Sequence, residues 1–454
     1  MHKTWLSFVL LLAPAAAFAH AGQQGLVLLL PTEIYIVSGG LVVAATVALA
    51  ALMDHDSLHR LFRARPLFTV PAPWCAGPSL ISTGVFFACI WLGLFGPYDP
   101  LANLMTLGLW TVVWIALVVL CGLFGNLWAW LNPWSGLFRL LSGPDPTPPF
   151  KLPDRLGCWP AVLLLMAFNG FGIASVNATD PRVLAILASL YWMFTFVMMM
   201  LFGAQNWLQR GEFLTVFMGL IAKISPFKRD SALFIGTPGW RITTAATPSL
   251  SLAVFALVLL GTGTFDGLNE TFFWLVQLGV NPLEFPGRSA IVTETLIGLA
   301  VTNICLCLIF YICVWVTAPK GQTGILFRRQ TFTILPIALA YHFAHFLPGF
   351  LVDAQHTLVA LSSPLGQGAD YLNLGPFFVT TGFFNTTDTV RVIFLSQAAA
   401  IVIGHVLAIL LSHRVASDYF ATRRGILISQ LPLSAFMIGY TILGLWLLAT
   451  AKGA

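Results

Sequence analysis

Long apolar segments recur along most of this chain, and shorter polar stretches separate them. Each segment holds roughly 17 to 25 residues, which is the length that an α-helix needs to cross a hydrocarbon core of about 30 Å. The pattern therefore predicts about ten membrane-spanning helices joined by loops. The predicted spans are residues 33–53, 79–96, 104–125, 159–176, 182–203, 248–264, 290–318, 331–352, 388–413 and 428–449.

Three further apolar stretches are too short to cross a membrane. Residues 126–141 carry three Trp beside a single Arg, which is typical of a helix at the depth of the lipid headgroups. Residues 211–224 are predicted to form a second interfacial helix. Residues 271–280 are predicted either to lie in the interface or to re-enter the membrane.

The first 19 residues have the layout of a secretory signal peptide. A short apolar core precedes Ala17-Phe18-Ala19, which has the small–x–small pattern of a cleavage site. Cleavage after Ala19 places His20 at the mature N-terminus, outside the membrane. An uncleaved anchor is the alternative. Residues 20–454 are then predicted to form a single polytopic domain.

Composition supports an all-α integral membrane protein. Hydrophobic residues make up 58% of the chain and charged residues 9%, with a mean hydropathy of +0.87. Soluble domains have about 25% charged residues, so the chain is not expected to fold in water. The seven Cys form no Cys-x-x-Cys pair, which excludes a recognisable disulfide framework or Cys-based metal site.

The charge distribution predicts the orientation. With the mature N-terminus outside and the spans alternating, 17 of the 22 basic residues fall in inside loops, while acidic residues gather outside. This positive-inside bias predicts a multi-pass protein of the bacterial inner membrane. The net charge of +5 does not indicate nucleic-acid binding, because the basic residues flank spans rather than share one face.

Motifs of soluble enzymes are absent from the sequence. It holds no Walker A loop, GxGxxG, HExxH, GxSxG or CxxCH motif. ATP-driven transport by this chain alone and hydrolase chemistry are therefore not expected, although enzymatic activity of another kind stays open.

The segment from Leu335 to His356 is the strongest candidate site. It carries His342 and His345, which lie three residues apart and share one helix face near the predicted midplane. Polar side chains in a lipid-spanning helix cost free energy and suggest function. Imidazole groups bind transition metals or pass protons near neutral pH. The alternative is that both side chains simply hydrogen-bond to neighbouring helices.

Other polar residues extend this candidate site. His356 is predicted at the outer mouth and His405 towards the inside, with Glu294 and Asp353 as proton-coupling carboxylates. His20 offers an amine and an imidazole, a pair suited to Cu(II). Metal binding is thus predicted for three residues: His20, His342 and His345.

The predicted function is a permease that moves a small solute, either a transition-metal cation or a proton-coupled substrate, through a histidine-lined midplane site. Its partners would be the lipid bilayer and the solute. One alternative is a membrane oxidoreductase subunit whose histidines bind haem b or a metal and exchange electrons with quinone. The predicted depths of His342 and His405 differ by roughly 8 to 10 Å, which argues against a shared haem. A further alternative is an accessory or assembly protein.

Overall fold

The computed structural model describes residues 26–53, 55–69, 76–143, 146–285, 287–376 and 378–452. The predicted signal peptide and His20 lie outside these ranges. The chain is mostly helical, with 73% of its residues in helices and little sheet.

The helices follow one another with short connections. In chain order they are α1 (Thr32–Leu52), α2 (His55–Leu61), α3 (Ala76–Phe95), α4 (Leu104–Phe124), α5 (Trp128–Leu131), α6 (Ser135–Ser142), α7 (Trp159–Ala174), α8 (Pro181–Phe202), α9 (Ala204–Arg210), α10 (Phe213–Ile224), α11 (Trp240–Thr243), α12 (Leu250–Asn269), α13 (Phe272–Gln277), α14 (Val292–Trp315), α15 (Thr323–Gln330), α16 (Leu335–Ser362), α17 (Thr387–Ala416) and α18 (Arg423–Ala449). Short 3₁₀ turns lie at Pro100–Ala102, Asp154–Leu156, Pro282–Glu284, Arg288–Ala290, Thr331–Ile334 and Gly382–Phe384.

Within the described ranges, nine helices are long and apolar enough to cross a membrane. They are α1, α3, α4, α8, α12, α14, α16 with the turn and helix before it, α17 and α18. Each coincides with one of the predicted spans. The remaining predicted span, 159–176, corresponds to α7, which has only 16 residues.

Two segments that are predicted to be interfacial pack against other helices. Most residues of α10 are buried, including Phe217, because a helix that is apolar on every side is stable only when surrounded. The indole N–H of Trp128 donates to the Thr215 hydroxyl, and that of Trp134 to the Trp192 carbonyl. These rings therefore face the helix bundle.

The ends of the helices gather in two groups. At one end, Arg423 at the start of α18 donates to the carbonyl of Ala51 in α1. At the opposite end, Thr271 after α12 pairs with Lys452 after α18. We call the first the basic end, since most of the Arg and Lys side chains are in its loops, and the second the acidic end.

A small antiparallel sheet lies at the basic end, so the chain is not entirely helical. Its strands are β1 (Arg65–Thr69), β2 (Phe227–Arg229) and β3 (Ala232–Ile235), in the order β1-β3-β2. Ile235 of β3 aligns with Arg65 on one side and Phe227 on the other. Strands this short give no periodic signal in a sequence, which is why the sheet is not predicted.

The centre of the bundle is α12. Two-thirds of its most apolar stretch, 67%, is buried within the protein. It contacts α7, α14 and α16, and it therefore brings polar residues of its last two turns against the histidines of α16.

Candidate functional site

Helix α16 carries both predicted midplane histidines and is longer than its predicted span. It ends at Ser362 rather than at residue 352, so Asp353 and His356 belong to the helix and not to an outer loop. His342, His345, Asp353 and His356 share one face, because their spacings are close to whole helical turns. The sequence therefore places a polar stripe along one side of α16.

His342 is fixed by a backbone carbonyl on another helix. Its Nε2 donates to the carbonyl oxygen of Trp114 at 2.8 Å, so this nitrogen carries a proton. Trp114 lies in Gly108–Leu117, a π-helical stretch inside α4. Such stretches are rare and frequently mark functional sites. The rings of Phe217 and Phe346 enclose the imidazole.

His345 pairs with a carboxylate. Its Nε2 lies 3.0 Å from Oδ2 of Asp266, and the two side chains are only 17% and 26% exposed. Asp266 belongs to α12, which continues to Asn269 instead of ending at residue 264 as predicted. The predicted span ends before this carboxylate, so Asp266 is not among the predicted site residues. The apolar Phe265 and Leu268 beside it were the available signal that the helix continues.

Tyr341 completes this side of the site. Its ring stacks on that of His345 with centroids 5.8 Å apart. It fits because Gly263 and Gly267 of α12 leave room, and a Cβ at Gly267 would overlap the tyrosine hydroxyl. That hydroxyl is buried and has no hydrogen-bond partner among the described residues. Since buried hydroxyls are normally paired, the adjoining space suits a polar occupant.

A small cavity joins these groups. Its volume is about 40 Å³, enough for about two or three water molecules. Its polar lining includes Asn169, Thr262, Asp266, His342 and His345. Asn169 comes from the short helix α7 and also went unnoticed in the sequence. The cavity therefore lies between five helices, α4, α7, α10, α12 and α16, with Phe217 as the contribution of α10.

His405 belongs to a different environment. It is 1% exposed, its Nδ1 donates to the Ile401 carbonyl at 2.8 Å, and its Nε2 has no partner within the described ranges. Its ring lies 6.4 Å from that of Tyr440, whose hydroxyl is hydrogen-bonded to that of Thr264. The structure does not bring His405 to the cavity of His342 and His345.

Helices α16 and α17 touch directly beside His405. A Cβ on Gly404 of α17 would lie 2.6 Å from the Cβ of Ala340 and 2.8 Å from the carbonyl oxygen of Pro336. Such an approach requires glycine. It leaves no slot for a porphyrin between the two helices at this level.

The other predicted site residues lie apart from the cavity. Glu294 is exposed in the first turn of α14, and the nearby Arg288 binds Glu270 at 2.8 Å. Asp353 and His356 are half-buried on α16, and His356 is about 16 Å along the helix from His345. His20 lies outside the described residues.

A metal centre needs several ligands that converge on one point. No group of three or more His, Cys, Asp or Glu side chains is placed to hold a metal ion in the described part of the chain. His342 and His345 reach different partners, a carbonyl and a carboxylate, and do not converge on one point.

Comparison with protein families, with characterised proteins and with solved structures finds no match for this chain. The function is therefore inferred from the site alone.

Proposed function

We propose that this protein is a multi-pass inner-membrane permease that couples the movement of a small solute to protons, with Asp266 and His345 as the proton-binding pair. The carrying observation is the 3.0 Å contact between the two side chains at a cavity lined by five helices. The positive-inside bias of the sequence supports the orientation, with the basic end in the cytoplasm.

A carboxylate and an imidazole in contact form a simple proton switch. With a proton on His345 the pair is neutral overall, and without it a single negative charge remains between the helices. An uncompensated charge in a poorly solvated site is costly. Loss of the proton therefore favours either binding of a cation or a rearrangement that exposes the pair to water. Both link protonation to transport.

The helices around the pair have irregularities that allow rearrangement. The π-helical stretch of α4 supplies the carbonyl that binds His342. A 3₁₀ turn, Thr331–Ile334, precedes α16, and Pro348 interrupts its hydrogen bonding. Such breaks are tolerated at membrane depth where they line cavities. They are suited to the alternating access expected of secondary transporters.

A proton-coupled solute fits the site better than the other predicted functions. A transition-metal substrate is less well supported because the histidines do not converge. A haem-binding subunit is less well supported because α16 and α17 touch at Gly404. The cavity of about 40 Å³ suits an ion or water, so a larger solute requires a more open conformation.

The test is solute-driven current in proteoliposomes on a solid-supported membrane. Protein is challenged with separate jumps of amino acids, sugars, carboxylic acids, nucleosides and divalent metal ions under an inward proton gradient. At least one class is expected to produce a current in the wild type that Asp266→Asn reduces by at least about tenfold.

Asp388→Asn is the matched control. Asp388 is also a carboxylate beside a basic side chain, Arg391, but it is 90% exposed. Its variant should keep the wild-type current. A panel that gives no current in folded wild-type protein, or a current that survives Asp266→Asn, contradicts the proposal.

A further inference from the structure

A second and larger cavity opens at the basic end. It has a volume of about 730 Å³ and lies between α2, the sheet, α11 and the end of α17. Asp266 is about 24 Å along α12 from the basic end, so this cavity is separate from the histidine site. Its lining includes Arg60, Arg63, Lys228, Trp240 and Arg414. We call this cavity the basic pocket.

The charge of the basic pocket is positive. Four of its side chains are Arg or Lys, against two carboxylates, Asp56 and Asp230. Lys228 lies 2.9 Å from Asp230 and holds the pKa of that carboxyl below its usual range. Arg414 is paired with Asp418, which leaves Arg60 and Arg63 against the single carboxylate Asp56. The net charge of the lining is therefore positive.

Two further observations describe the cations in and near the basic pocket. Arg414 is nine-tenths buried and is held by Asp418 at 2.6 Å, so its position is fixed. Behind the pocket, burial and the nearby cations Arg241 and Lys228 lower the pKa of the Lys223 ammonium. Arg60 and Arg63 are exposed beside these cations. Guanidinium groups bind anions with several oxygen atoms, phosphate above all.

Exposed apolar side chains adjoin the lining of the basic pocket in the sequence. Leu67 and Phe68 of β1 are 52% and 59% exposed, and Leu61 is 37% exposed. Arg63 and Arg65 stand between them in the sequence. Basic and exposed apolar side chains in alternation are typical of segments at a lipid surface, where the apolar groups enter the bilayer and the cations meet headgroups.

We propose that the basic pocket binds the phosphate headgroup of an anionic phospholipid from the adjacent leaflet, with the acyl chains beside Leu67 and Phe68. Arg60 and Arg63 bind the phosphate oxygens, and the aromatic ring of Trp240 forms part of the wall. The lipid would anchor α2 and the sheet to the end of α17. This inference does not depend on the proposed transport function.

Native mass spectrometry of detergent-purified protein tests the inference. The protein is titrated with phosphatidylglycerol and, separately, with phosphatidylcholine of the same acyl chains. Wild type should bind phosphatidylglycerol more tightly. Arg60→Gln/Arg63→Gln should weaken that binding by at least about tenfold, since each surface cation contributes measurably to anionic lipid binding, and it should leave phosphatidylcholine binding unchanged.

The matched control is Arg139→Gln/Arg155→Gln. It removes two exposed Arg, Arg139 in α6 and Arg155 in the turn before α7. Neither lines the basic pocket, so this variant should bind phosphatidylglycerol as the wild type does. Equal weakening by both double variants would show general charge attraction and would overturn the proposal. Thermal unfolding of each variant verifies that the fold is kept.

Glycerol phosphate distinguishes a lipid from a soluble ligand. It presents a phosphate headgroup without acyl chains, and it should not displace phosphatidylglycerol at equal concentration. If it binds as tightly as the lipid, the ligand is a soluble phosphate ester, and the proposal of a lipid site is wrong.

Discussion

Two histidines on adjacent helices of the bundle, His345 of α16 and His405 of α17, lie in opposite environments. On the side facing α12, His345 meets Asp266 at a cavity. On the side facing α17, His405 lies in tight packing and its Nε2 has no partner among the described residues. The comparison teaches that a histidine in a spanning helix does not by itself mark a site. His345 is a candidate site residue because it has a charged partner on another helix and a cavity beside the pair.

The largest effect is expected from breaking the pair. Asp266→Asn and His345→Gln should each reduce proton-coupled current by roughly tenfold to 100-fold, the usual range of a coupling free energy. The double variant should be no worse than either single one, because groups that act as a unit are not additive. Current measurements on all three test this. Additive losses would show that the two side chains act separately.

The second effect concerns stability at the close contact between α16 and α17. Gly404→Ala should lower the free energy of unfolding by about 1–3 kcal/mol, because the added methyl group overpacks the contact. Gly439→Ala is the control, since a Cβ there meets nothing within 4 Å. It should be neutral or stabilising by up to about 1 kcal/mol. Denaturation in the same detergent compares the two, and equal behaviour would mean that the helices do not touch as described.

A smaller effect is expected from the cavity wall. The amide nitrogen of Asn169 donates to the Leu165 carbonyl at 2.8 Å, which leaves its oxygen for the cavity. Asn169→Leu should reduce the current about fivefold, the equivalent of one hydrogen bond of about 1 kcal/mol. Asn206→Leu, at an exposed position, should have no effect. A full current in Asn169→Leu would remove α7 from the site.

The smallest effect is expected at His405. His405→Phe removes Nε2, which has no partner among the described residues, together with the hydrogen bond from Nδ1 to the Ile401 carbonyl. The two changes oppose each other, so the stability should change by less than about 1 kcal/mol. The current should remain within about twofold of wild type, a change too small to indicate a functional role. A loss comparable to that of His345→Gln would break the comparison, since His405 would then share in transport.

The apolar pattern predicted most of the helical architecture. The long segments coincide with helices because nothing but a closed hydrogen-bonded helix suits so many consecutive apolar residues. The ends of the helices were predicted less accurately. Predicting the end of one span at residue 264 removed Asp266 from the candidate site, and ending another at residue 352 placed His356 in a loop.

Features formed by distant segments could not be predicted. The sheet joins β1 to strands far along the chain, and no local sequence pattern predicts such a pairing. The π-helical stretch around Trp114 looks like any other apolar helix in sequence. The sequence also does not reveal that His345 has a carboxylate partner while His405 Nε2 has none among the described residues. That difference depends on which helix faces each histidine.

The central claim is that the Asp266–His345 pair carries the coupling proton. It is tested most directly by measuring two activities in the same Asp266→Asn proteoliposomes: proton-coupled current, and exchange of labelled solute across the membrane without a gradient. The solute is the one that drives current in the wild type. The account predicts that current is lost while exchange is retained, because solute binding and helix movement do not need the proton. Wild-type current in Asp266→Asn, or loss of exchange together with current, would contradict it.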